Sequence, residues 1–185
     1  MDKKILKAST LLSPVPPVLI SVGDMDVSNL ITIAWTGTIN SNLPMTYISV
    51  RPERHSYNIL KEKMEFVINL VSEDLTKKLD WCGIKSGKDY DKFKEMNFTK
   101  QQASTVSAPL VSECPINLEC KVTQIIPLGT HDMFLAEITA VQVNSNLLDE
   151  NNKVNIDKAK LIAYTNGEYR RLGEVIGNFG YSVKK

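Results

Sequence analysis

The sequence predicts a mainly β chain, an antiparallel barrel with a few short helical insertions. Three observations predict it. Apolar runs of strand length recur along the chain without regular strand–helix alternation. Ile116, Leu118, Cys120 and Val122 alternate with Asn117, Glu119, Lys121 and Thr123, the pattern of a half-buried strand. Asn166-Gly167 separates LIAYT from EYRRL, a strong hairpin signal. A doubly wound sheet is disfavoured. GxGxxG and GxxxxGK[ST] are absent, and the glycines at 173, 177 and 180 have the wrong spacing for either.

Taken in order, PPVLISV at 16–22 reads as a first strand, turned by GDMD. NLITIAWT at 29–36 reads as one apolar strand with Ile31, Ile33 and Trp35 on a shared face. MTYISV at 45–50 is a third strand, SYNILKEK a short helix and EFVINLV at 65–71 a fourth strand. Ser72, followed by Glu73 and Asp74, predicts a capped helix through DLTKKLDWCG that stops near Gly83. DYDKFKEM is a further short helix in a polar, turn-rich stretch. MFLAEITAVQV is apolar on both parities apart from Glu137, Thr139 and Gln142, so it reads as a strand covered on both sides.

The 185 residues form one expected domain, 1–185, of soluble globular composition: 43% hydrophobic and 23% charged. With 22 basic and 21 acidic residues the net charge is +1, which argues against nucleic acid or a membrane surface as the main partner. No apolar run approaches the roughly 18–20 residues that span a bilayer. The proline-broken start MDKKILKASTLLSPVPP makes a poor signal peptide. Cys82, Cys114 and Cys120 read as reduced, buried thiols of a cytoplasmic protein. Cys114 and Cys120 would lie roughly 20 Å apart along a strand, too far for a disulfide. Two histidines with no Cys/His pairing make a metal site unexpected.

Chemistry concentrates in four segments. RPERHSYN at 51–58 places Arg51 and Arg54 where a strand hands over to a helix. A helix start offers free N–H groups and positive potential, and Ser56 adds a hydroxyl, together a phosphate cradle. A solvated corner with surface ion pairs is the plain alternative. In NLITIAWTGT, Asn29 and Thr32 put polar groups in an apolar wall, as a heteroaromatic ligand requires, although a core strand with a buried Trp35 has the same pattern. In SGKDYDKF, Lys88 and Lys92 add positive charge. In LGTHDMF, His131 is a lone loop histidine, a type most often structural or idle.

Taken together, NLITIAWTGT, ISVRPERHSYNIL, EFVINL, SGKDYDKF, APLVSECPINLEC, LGTHDMFLAEI and LGEVIGNFGYSVKK resemble the flavin reductase-like, FMN-binding family in its flavoredoxin-like form. The resemblance implies an FMN-binding split barrel and a homodimer, with non-covalent FMN near the subunit interface. By position it implies Asn29, Thr32, Ala34, Trp35 and Thr36 along the flavin ring. It implies Arg51, Ser56 and Lys92 at the phosphate or ribityl chain, with His131 and Tyr164 closing the site. Ser56 stands where relatives often carry threonine, and Lys88 where they often carry arginine. No residue reads as a required acid, base or nucleophile. The implied activity is electron transfer through FMN, from NAD(P)H or a redox partner protein to an acceptor. A split-barrel protein that binds flavin or haem without turnover is the alternative.

Overall fold

The computed structural model describes residues 1–183, so the last two lysines of the closing GYSVKK segment lie outside the described residues. Seven antiparallel strands make the main sheet: β1 (Val18–Gly23), β2 (Ser28–Ile33), β3 (Thr36–Ser41), β4 (Pro44–Val50), β5 (Glu65–Leu70), β8 (Ile116–Pro127) and β9 (Asp132–Val143). Their order is β2-β1-β5-β8-β9-β4-β3. Two short pairs stand apart: β6 (Lys100–Gln101) with β7 (Leu110–Val111), and β10 (Ile162–Thr165) with β11 (Glu168–Arg171).

The connection between β2 and β3 rolls the sheet into a barrel. These strands sit at opposite ends of the order, yet only Ala34 and Trp35 separate them. Three residue steps reach about 10 Å. The outer strands of a flat seven-stranded sheet lie about 29 Å apart. The sheet therefore curls until its ends nearly meet, and the Ser49 N–H donates to the Trp35 carbonyl at 3.0 Å. This corrects the single strand expected over 29–36: the run breaks at Ala34-Trp35 and restarts as β3.

β1 is buried along its whole length because it separates two cores. Val18, Ile20 and Val22 pack inside the barrel with Ile31, Ile48, Phe66 and Phe134. Leu19 faces the other way, into Leu30, Leu79, Cys82, Phe93 and Ile162. That outer core seats two helices, α2 (Thr76–Ile84) and α3 (Lys92–Glu95). α2 follows a 3₁₀ turn over Glu73–Leu75, and Ser72 makes no capping bond with its side chain. The Thr76 hydroxyl bonds back to the Glu73 carbonyl instead, at 2.7 Å. α1 (His55–Lys63) buries Ser56, Tyr57 and Leu60, and Met64 in the left-handed region ends it. β9 alternates fully buried Phe134 and Ala136 with half-buried neighbours, so its outer face is only partly covered. All three cysteines are free and buried. Asn166 and Gly167 both take positive φ, 46° and 87°, as a two-residue hairpin turn demands.

One buried carboxylate pins the long segment between β6 and β7. Glu119, on β8, is fully buried. It accepts from the Ser104 N–H at 3.0 Å, the Thr105 N–H at 2.6 Å and Gln142 Nε2 at 2.7 Å. Burial alone would raise its pKa, but the donors from Ser104, Gln142 and Thr105 win and hold it at about 2.

Candidate functional site

The junction between β4 and α1 opens onto a cavity of ≈ 500 Å³. Asn29 reaches it from β2, Arg51 and Arg54 from the junction, Ser56 from the first turn of α1, and Lys92 from α3. No side chain caps α1, and no acidic residue sits in its first turn. The positive end of that helix is left for a ligand. Four cations line the cavity, Arg51, Arg54, Lys85 and Lys92, against one carboxylate, Glu53.

Two donors are held ready for an anion. Asn29 Nδ2 donates to Ser56 Oγ at 2.8 Å, and both residues are buried. A hydroxyl that accepts this bond keeps its own O–H to donate. Lys92 is 4% exposed, and its Nζ donates to the Leu30 carbonyl at 2.8 Å and the Cys82 carbonyl at 2.6 Å. An ammonium has three N–H groups, so one remains for the cavity. Burial pulls the Lys92 pKa down to about 8, with Arg54 adding to the effect and Cys82 opposing it. Burial likewise pushes the Cys82 thiol up to about 11. Gly87 leaves room for the Asn29 amide. A Cβ there would lie 2.2 Å from Asn29 Oδ1 and 2.5 Å from Nδ2, so only glycine lets the loop close over this side chain.

Arg51 is half-exposed and ion-paired with Glu53 at 3.3 Å. Arg54 Nη1 donates to the Gly83 carbonyl at 3.4 Å. Beyond them, His131 packs against Trp35 with ring centroids 4.6 Å apart. Burial, then the positive charges of Arg51 and Arg54, hold the His131 pKa below the ordinary imidazole range. Trp35 is 42% exposed and shares a second cavity with Tyr164.

The structure thus brings Asn29, Arg51, Ser56 and Lys92 onto one cavity, while Trp35, packed on His131, lines a second cavity with Tyr164. Thr32, Ala34 and Thr36 do not line the first cavity. The Thr32 hydroxyl bonds to the Leu79 carbonyl, and the Thr36 hydroxyl to the Tyr47 carbonyl at 2.6 Å. Lys88 lines a neighbouring hollow instead. Gly87, Lys85 and Ser86 line the first cavity without having been singled out in the sequence. Only the run SGK, read for its lysine, marked the place. Among the described residues no group of three or more His, Cys, Asp or Glu side chains could hold a metal ion, and no helix is long and apolar enough to cross a membrane.

The flavin reductase like domain matches residues 11–173. The chain belongs to that family. Among solved structures, flavoredoxin of Desulfovibrio vulgaris (Miyazaki F) superposes on this flavin reductase-like chain with a TM-score of 0.91 and 30% identity, covering 99% of this chain and 100% of that one. Flavoredoxin from Methanosarcina acetivorans gives 0.90 and 26%, covering 98% and 97%. An uncharacterized protein of Aquifex aeolicus is 27% identical over 150 residues, 77% of this chain and 76% of its own. The fold is the split barrel of flavin reductases, and the family supports a flavin cofactor.

Proposed function

We propose that this chain is a flavin-dependent oxidoreductase that holds FMN non-covalently and passes electrons from NAD(P)H or a redox partner protein to an acceptor. The observation that carries the reading is the Asn29–Ser56 pair at the start of α1, a buried donor set facing a cationic cavity. The residues fit the phosphate of such a cofactor: a free hydroxyl, a spare ammonium N–H, two guanidinium groups and an uncapped helix start. FMN, when bound, supplies two-electron redox chemistry that no side chain of this chain offers.

This chain's own residues bind and orient. Arg51 and Arg54 neutralise the phosphate charge, and Ser56 and Lys92 fix its position. Trp35, with His131 packed against it at 4.6 Å, is still 42% exposed and offers indole surface on which a ring can stack. The Thr32 hydroxyl ties β2 to α2, and the Thr36 hydroxyl ties β3 to β4. No side chain is assigned a proton-transfer role.

Likeness to the two flavoredoxins supports an electron carrier with tightly held FMN as a second reading. Stopped-flow mixing of the FMN-loaded protein with NADH and NADPH separates the two. Absorbance near about 450 nm, where bound flavins absorb, bleaches rapidly with one nucleotide if the chain is a reductase. It bleaches only with a reduced partner protein if the chain is a carrier. A protein that takes up no FMN contradicts both. The chain works as a homodimer in the cytoplasm on this reading. The partly covered outer face of β9, with Val141 56% exposed, supports the dimer, and three unpaired thiols support the compartment.

A further inference from the structure

Tyr57 follows Ser56 in the first turn of α1 and is 8% exposed, yet it does not line the cationic cavity. Its ring packs edge-on to Phe134 inside the barrel, with centroids 5.7 Å apart at 82°. That packing does not use the hydroxyl, which donates to the Asp132 carboxylate at the start of β9. This bond, and then burial, raise the Tyr57 pKa, so the phenol keeps its proton and stays the donor.

Asp132 holds the arginine-bearing junction at both ends. Its backbone pairs with Val50, the residue before Arg51, in the ladder between β4 and β9. Its side chain takes Tyr57, the residue after Ser56. Between those ends the Arg54 N–H donates to the Arg51 carbonyl at 3.0 Å, and the Tyr57 N–H to the Arg54 carbonyl at 2.9 Å. Asp132 also follows His131 directly. The His131 carbonyl accepts from the Leu128 N–H at 3.0 Å, and its ring packs on Trp35. One residue thus ties the backbone of the phosphate cradle to the backbone that carries His131. A hydrogen bond suits that task, because it has a preferred length and direction.

We propose that Tyr57 and Asp132 are positioning residues for the site: their bond fixes the spacing between the Arg51–Ser56 junction and the His131–Trp35 pair. Neither lines the cavity at the junction or the one at Trp35, and each acts through its chain neighbour. The spacing matters only to a molecule that reaches both places, as FMN does on the flavin reading above, on which this role rests. A ligand confined to the junction, such as inorganic phosphate, is indifferent to it.

The test starts with proton NMR of the flavin-free protein, so that the brace is read even if the chain holds no flavin. An indole shifts the ring protons of an imidazole packed on it, and the signals lost in His131→Gln are those of His131. Tyr57→Phe keeps the ring on Phe134 and removes only the hydroxyl. It should move the His131 signals toward those of a free imidazole and leave the signals of His55, on α1, in place. Asp132→Ala should do the same, whereas Asp132→Asn keeps an acceptor oxygen and should retain the parent spectrum. In titrations Tyr57→Phe should weaken FMN about fivefold, the order of one hydrogen bond, and leave inorganic phosphate within twofold. His131 signals unmoved in both Tyr57→Phe and Asp132→Ala would overturn the proposal. So would an equal movement of the His55 signals, which would make the bond a general support of α1, or an FMN affinity unchanged from the parent.

Discussion

The amide of Asn29 and the hydroxyl of Ser56 meet at 2.8 Å, joining the second strand of the barrel to the first turn of its first helix. Neither side chain is exposed, so the bond is made out of water and fixes which way the hydroxyl can donate. Ser56→Ala would leave the buried Asn29 amide without this partner, a loss of about 1–3 kcal/mol. Urea unfolding should show it as a lower midpoint, and FMN affinity should fall together with it. Ser56→Thr keeps the hydroxyl and should preserve FMN affinity.

Gly87→Ala should act on the same pair from the outside. The added methyl would overlap the Asn29 amide and force it off Ser56. FMN affinity should drop at least tenfold in fluorescence titration. Gly173→Ala serves as a control, since a Cβ at Gly173 meets nothing within 4 Å. It should match the parent in affinity and stability.

Lys92 should make cofactor affinity pH-dependent. Its pKa lies at about 8 in the folded protein, lowered mainly by burial. The ammonium is therefore charged below that pH and neutral above it. FMN affinity should fall as pH rises through 8, and Lys92→Met should flatten that dependence. Stability should move the other way. Between 8 and the ordinary lysine value the unfolded chain binds more protons, so this group's contribution to stability rises with pH. Titrations at pH 7 and pH 9, with parent and variant, check both signs.

Glu119 should control acid stability. Its folded pKa of about 2 is depressed, so its contribution is present above the unfolded glutamate value and is lost as pH falls from there toward 2. Glu119→Gln should remove that pH dependence. At pH 7 it should cost about 1–3 kcal/mol, because one acceptor oxygen is replaced by an amide facing donors. Urea midpoints from pH 2 to pH 7 measure both effects.

Much of the barrel was legible because its strands repeat with period two and its hairpin turn carries Asn-Gly. The break at Ala34-Trp35 was not, since Trp35 continues the apolar pattern and only barrel closure requires the kink. The cationic half of the site was readable in RPERHSYN, where charge and a helix start coincide. Lys92 was readable in SGKDYDKF only as added positive charge, because its carbonyl partners at Leu30 and Cys82 come from distant elements. Gly87 shows the same limit. Its lack of a side chain matters only because the fold brings Asn29 against it, and no local pattern records that approach. Thr32 and Thr36 read as polar groups in an apolar wall, and the carbonyls their hydroxyls satisfy, on Leu79 and Tyr47, lie on other elements that no local pattern records.

The central claim is that the cavity at the start of α1 grips a flavin by its phosphate. Titration of the flavin-free protein with FMN and with riboflavin, at pH 7, tests it most directly. The two ligands share a ring system and differ in the phosphate. The account predicts that FMN binds at least tenfold tighter, and that Arg51→Ala weakens FMN by about 1.5–3 kcal/mol, the worth of a hydrogen bond to a charged group, while riboflavin changes little. Equal affinities for the two flavins, or equal losses in Arg51→Ala, would contradict it.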